Sequence, residues 1–108
     1  MNSSQFDSIA DAALERLQLA VETAAGDSVE VDLIGGILTL ELDSGAKYLI
    51  NKHGPNRQIW LASPLSGAWH FGWNDADQAW IATRGGERLE ELLGRELSQA
   101  CGKAIEIG

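Results

Sequence analysis

Apolar positions in the first 25 residues recur at helical intervals. Phe6, Ile9, Ala10, Ala13, Leu17, Ala20, Val21 and Ala24 fall on one stripe, while Asp7, Asp11, Glu15 and Glu22 fall on another. The spacing predicts an amphipathic helix over 4–25, with Ser3 or Ser4 as its N-cap and Gly26 as its stop. Acids in the first turn suit the helix dipole, whereas Glu22 near the last turn opposes it.

After Gly26 the period drops to two. "SVEVDL" sends Val29, Val31 and Leu33 inward and Glu30 and Asp32 outward; "ILTLEL" sends Leu38, Leu40 and Leu42 inward. Gly35-Gly36 and "DSGA" are hairpin signals on either side of the second tract. "KYLIN" turns Tyr48 and Ile50 inward and leaves Leu49 and Asn51 outward, and "RQIWLA" (57–62) does the same with Ile59 and Leu61 against Gln58, Trp60 and Ala62. "AWHFGW" puts Trp69, Phe71 and Trp73 on one face and His70 on the other, and "AWIAT" is the last strand. A closing helix carries Leu89, Leu92, Leu93, Leu97, Ala100 and Cys101 on one stripe. Gly94 inside it costs about 1 kcal/mol relative to Ala, which suggests close packing at that point or simple tolerance, and the tail "KAIEI" is expected to lie back along the helices.

The order is therefore helix, about six antiparallel strands, helix, in one domain over 1–108. Each helix has a single apolar stripe, so both belong on one face of the sheet, giving an α+β fold: a two-layer α-β sandwich. The other sheet face meets water. Parity places Asn51, His53, Gln58, Trp60 and His70 there, from three consecutive strands and their ends. A tryptophan projecting to solvent among amides and imidazoles has the composition of a protein-docking hot spot and its rim.

Charge changes the picture more than composition does. The net charge is −8, and residues 1–45 hold Asp7, Asp11, Glu15, Glu22, Asp27, Glu30, Asp32, Glu41 and Asp43 against the single base Arg16. The remaining residues are balanced. Such a dipole repels nucleic acid and attracts cations or basic protein surfaces. Asp11, Glu15, Glu22, Asp27, Glu30 and Asp32 are the candidate metal ligands, forming an acidic ridge along the helix and first strand. Carboxylates without Cys or His select poorly among iron, manganese, calcium and magnesium, and bind weakly when each stands alone.

Little else offers chemistry. Cys101 has no disulfide partner in the chain, no Cys/His cluster has zinc spacing, and no apolar run is long enough for a membrane span. The N-terminus lacks a basic or continuous apolar region, so the expectation is a bacterial cytoplasmic protein, or the mature form of an organellar one in the mitochondrial matrix. No nucleophile stands at recognisable spacing from His53 or His70, and no phosphate loop or Glu-x-x-His motif is present.

At this point several motifs are distinctive together. "GGILTLEL", "YLINKHGPNRQIWLASPLSG", "AWHFGW", "WIAT" and "LEELLGREL" resemble the frataxin family in order and spacing, over essentially the whole chain. The resemblance implies an iron-binding protein of iron–sulfur cluster assembly, docked on a cysteine desulfurase and scaffold protein. It further implies sheet-surface contacts at Asn51, Gln58 and Trp60, and ridge positions at Glu22, Asp27 and Glu30. There are departures: "QLAVETAAG" keeps Glu22 alone where the family crowds several acids, His53 stands where Gln is common, and Gly72 where Asp is frequent. The expected role is a non-enzymatic regulator or iron donor, monomeric or oligomeric with metal. Rival readings are a ferroxidase, as proposed for eukaryotic relatives, and an acidic adaptor without an iron role.

Overall fold

The computed structural model describes residues 1–107. Helix α1 spans Ser3–Ala25; strands β1 (Val29–Ile34), β2 (Ile37–Leu42), β3 (Lys47–His53), β4 (Gln58–Ser63), β5 (Gly67–Asn74) and β6 (Ala79–Ala82) follow, and α2 (Leu89–Cys101) closes the chain. The strands form one antiparallel sheet in sequence order, so every connection within it is a hairpin. Both helices cover one face of this sheet, as the patterning predicts.

Helix α1 starts one residue earlier than expected because Asn2, not Ser3 or Ser4, is its cap. The Asn2 carboxamide oxygen accepts the Gln5 N–H at 2.8 Å, and Gln5 Oε1 accepts the Asn2 N–H at 2.9 Å. This reciprocal box satisfies two orphan donors at once, which a serine hydroxyl alone would not. With the start moved upstream, the first turn carries no acid and Asp7 falls in the second. Gly26 does end the helix, in right-handed geometry: a Cβ there would lie 2.5 Å from the Glu22 carbonyl oxygen.

The stripe of α1 is wider than predicted. Leu14 and Ala25 are fully buried, while Ile9, Ala20 and Ala24 are only half-buried. A helix lying across a sheet with α2 and the tail beside it is covered over more than one narrow line. In α2 the reverse holds: Ala100 is exposed and Cys101, packed against the margin of the core, is half-buried, and the chain leaves the helix at Gly102 in left-handed geometry. At Gly94, of close packing and simple tolerance, the structure shows close packing. A Cβ there would sit 3.3 Å from the Ile105 carbonyl oxygen, since the tail folds back on α2 and buries Ile105 and Ile107. Ser98 Oγ fastens it, accepting the Ile105 N–H at 2.8 Å and donating its one proton to the Gly94 carbonyl at 2.6 Å or to the Ile105 carbonyl at 3.0 Å.

Between the layers, Phe6, Tyr48, Phe71 and Trp80 join the aliphatic residues of β2–β4 in one core. Trp80 packs edge-on to Phe6, with centroids 6.1 Å apart, and tilts against Trp73 at 5.4 Å. Of the three inward aromatics of β5 only Phe71 is fully buried; Trp69 and Trp73 lie at the margins of the helix layer. Arg57, read from the sequence as the first residue of β4, instead lies in the preceding turn at φ 49°.

Candidate functional site

Two surfaces carry the residues singled out from the sequence. The first is the open sheet face. Register sets Asn51, Trp60 and His70 side by side on β3, β4 and β5, and His53, Gln58 and Gly72 in the adjacent row. All five expected contact residues therefore share one patch. Ile37 pairs with Asn51 and Ile34 with Ile37, extending the row to the sheet edge with two exposed aliphatic side chains that the sequence reading did not include.

Trp60 does not project freely into solvent, as was expected of it. It is half-buried, and what covers it is imidazole. His53 stacks on one face of the indole with centroids 3.6 Å apart and planes 9° from parallel; His70 stacks on the other at 4.3 Å and 16°. The polar edge is engaged too, since Nε1–H donates to Gln58 Oε1 at 2.9 Å. This arrangement follows from register. His70 is directly opposite Trp60, and His53 sits diagonally, two residues beyond Asn51, within reach of a large ring. Two imidazoles on opposite faces of an indole cannot also share one metal ion, which needs both nitrogens within about 2.1 Å of it.

The second surface is the acidic one, and it is a series rather than a cluster. Asp11 and Glu22 stand about 16 Å apart along the α1 axis at 1.5 Å per residue. Asp27 lies just beyond the helix, and Glu30 and Asp32 point to the open face from edge strand β1. Among the described residues no three or more His, Cys, Asp and Glu side chains are gathered as a metal ion requires. Two of the six candidates already hold a cation. Lys52, on the helix-covered side of β3, reaches up between Asp7 and Asp11, with its ammonium 3.4 Å and 3.0 Å from their carboxylates. Its hydrogen bond with Asp11 raises the Lys52 pKa. Lys103 of the tail holds Asp27 at 3.1 Å, and that hydrogen bond lowers the Asp27 pKa. Glu15, Glu22, Glu30 and Asp32 make no ion pair within 4.0 Å among the described residues. Exposed single carboxylates are weak ligands for hard cations.

One buried group escaped the sequence reading. Glu96 of α2 is 6% exposed, the one buried charged residue among the described residues. Its Oε1 accepts from Tyr48 Oη at 2.8 Å and from Ser63 Oγ at 2.6 Å, and its Oε2 from Ser66 Oγ at 2.5 Å. Ser66 in turn accepts from Trp69 Nε1 at 2.8 Å. Burial, and then the hydrogen bond to Glu96, push the Tyr48 phenol pKa up. The network ties α2 to β3 and to the β4–β5 turn behind Trp60 and His70. Its sequence signal was its spacing: Glu96 is seven residues past Leu89, four past Leu92 and three past Leu93, on the apolar stripe of the helix.

Comparison with known proteins agrees with this geometry. A family model described as Frataxin-like domain matches residues 1–103. The mitochondrial frataxin of Arabidopsis thaliana is 38% identical over 94 residues, which are 87% of this chain and 50% of that protein, so the chain spans half the length of that relative. The iron-sulfur cluster assembly protein CyaY of Thioalkalivibrio sulfidiphilus is 38% identical over 104 residues, covering 96% of this chain and 80% of that one. Among solved structures, a frataxin from Psychromonas ingrahamii superposes with a TM-score of 0.89 at 29% identity, covering 100% of this chain and 99% of its own. A trimeric frataxin from the yeast Saccharomyces cerevisiae, complexed with ferrous iron, superposes at 0.70 with 36% identity, covering 95% and 88%.

Proposed function

Because the chain belongs to the frataxin-like family, we propose that it acts in iron–sulfur cluster assembly as a non-enzymatic, iron-binding regulator. Its open sheet face docks on the cysteine desulfurase–scaffold complex, and its carboxylate series receives iron as cargo and faces the basic surface of the desulfurase. The observation that carries the docking role is the placement of Trp60 at the centre of a three-strand patch on the uncovered face, with Asn51, Gln58 and both histidines around it. No core contact requires a tryptophan at that position.

Trp60→Ala is therefore expected to weaken the complex about 30-fold, the value of a hot-spot truncation near 2 kcal/mol. The fold should survive, and calorimetry with the purified desulfurase–scaffold complex reads the loss. Unchanged affinity in a folded mutant would overturn the docking role.

The iron role rests on donor chemistry. Glu15, Glu22, Glu30 and Asp32 are unpaired oxygen donors on the most acidic part of the chain. Titration with Fe²⁺ under anaerobic conditions should shift amides in residues 11–32 first. Shifts centred on His53 and His70 would move the site to the sheet, and no shift at millimolar iron would leave an acidic adaptor. Oxygen consumption in a single turnover with Fe²⁺ separates binding from ferroxidase activity. Localisation follows the partner: bacterial cytoplasm, or the mitochondrial matrix in a eukaryotic setting.

A further inference from the structure

Trp60 is a docking residue with neither face of its ring open. A partner group that stacks on the indole has first to displace an imidazole, and the two imidazoles are not held alike. His70 belongs to the middle of β5, where its carbonyl accepts from Thr83 N–H at 2.9 Å and its neighbours pair on both sides. His53 is the last residue of β3. Its one side-chain hydrogen bond is long, 3.4 Å, with Nδ1 accepting from Asn56 N–H in the exposed turn. Rotation about its side-chain torsions, between staggered wells, removes it from the indole without breaking the strand ladder.

The charge around the stack indicates what replaces it. From Trp60 towards β1 the open face passes Asn51, Ile37, Leu49 and Thr39 and then reaches Asp32, Glu30 and Glu41. Of these carboxylates only Glu41 has a cation within reach, Lys47 at 4.0 Å. Trp60 and Asp32 are about 16 Å apart on the strand spacing and rise of a sheet, a span covered by about five extended residues. A ligand for both ends carries several positive charges, one of which is flat enough to stack. A guanidinium meets that requirement, because it is planar, weakly hydrated and attracted to indole faces. An ammonium is a compact, strongly hydrated point charge and does not.

We infer that His53 is a displaceable cap on Trp60, and that the group taking its place is an arginine guanidinium in a basic partner segment whose neighbouring cations reach Asp32 and Glu30. This rests on the docking role proposed above for the sheet face. His53 then sets specificity: it withholds the indole from segments that offer charge alone and yields to one that offers a flat cation.

The test uses acetylated hexa-arginine and hexa-lysine peptides, with the Trp60 indole N–H followed by NMR in the wild-type chain and in His53→Ala. Hexa-arginine should move that signal at concentrations about five-fold lower than hexa-lysine, the worth of one solvent-exposed cation–π contact. His53→Ala should tighten hexa-arginine several-fold and leave hexa-lysine unchanged. Equal titrations with the two peptides, with the indole signal unmoved, would reduce the contact to simple charge and overturn the inference. So would weaker hexa-arginine binding in His53→Ala, which would make His53 part of the site rather than its cover. Trp60→Ala against the desulfurase–scaffold complex keeps the two ideas separable. If that complex is lost while hexa-arginine never reaches Trp60, docking stands and the cap falls. If the complex is unaffected, docking falls and the peptide titrations still decide the cap.

Discussion

Glu96→Ala tests whether the buried network behind the sheet is a structural tie. The substitution removes the acceptor for three hydroxyls, those of Tyr48, Ser63 and Ser66. They are unequal. Tyr48 is 0% exposed, so its hydroxyl is left without a partner and without water, at a cost of about 2 kcal/mol. Ser63 and Ser66 sit at the β4–β5 turn and can rehydrate, and together they forfeit about 1 kcal/mol more. The expected loss is therefore about 3 kcal/mol, a fall in Tm of roughly 12–20 °C for a domain of this size. Glu96→Gln should cost about 1 kcal/mol, because the amide oxygen can keep Tyr48 and Ser63 as donors while the Ser66 hydroxyl turns to accept from the NH2 group. Urea denaturation of Glu96→Ala, Tyr48→Phe and the double mutant measures the coupling between the two side chains, expected at about 1–2 kcal/mol. A loss below about 1 kcal/mol for Glu96→Ala, or no coupling, would refute the reasoning: the carboxylate would then be relieved by its own removal, as some buried charges are.

Other consequences are local. Lys52→Gln frees Asp7 and Asp11 from their internal cation, so Mn²⁺-induced broadening should appear at the N-terminal half of α1 at lower metal concentration than in the wild type; unchanged broadening would mean that the ammonium does not compete. Lys103→Ala should raise the Asp27 pKa, read by carboxyl NMR. Since the Asp27 pKa is lowered in the folded chain, this pair stabilises the fold above the unfolded carboxyl range and ceases to do so as pH falls through the folded pKa; a Lys103→Ala chain should accordingly lose less stability between neutral pH and pH 3 than the wild type. Gly26→Ala forces a Cβ against the Glu22 carbonyl oxygen and should destabilise by about 2 kcal/mol in chemical denaturation, despite the better helix propensity of alanine. A neutral result would mean that the helix end relaxes freely.

Much of this protein is legible in one dimension because its fold obeys two short periods. Alternation along β1–β4 states which side of each strand is inward, and hairpin turns between strands leave no choice of neighbour order, so the sheet and its open face follow from local pattern. The same parity puts Trp60 outside the core and brings Asn51, His53, Gln58 and His70 to it. The tail was readable as lying back along the helices, whereas Gly94 left close packing and tolerance open until the fold put the Ile105 carbonyl against it.

What parity cannot express is where a side chain's tip goes once it has a face. The sequence determined that His53, Trp60 and His70 share a surface; only the register and torsions of the folded sheet decided that the imidazoles lie flat on the indole. It determined which half of the chain is acidic, and the packing of α1 on β3 then decided that Lys52, from the covered side, neutralises Asp7 and Asp11 while Glu15 and Glu22 stay free. Glu96 follows Leu89 by seven residues and so lies on the apolar stripe of α2, but only the folded layers decided that hydroxyls from three distant positions converge on its carboxylate. Period and composition are properties of adjacent residues. Stacking, pairing and burial of charge are settled by groups that become neighbours only when the layers close.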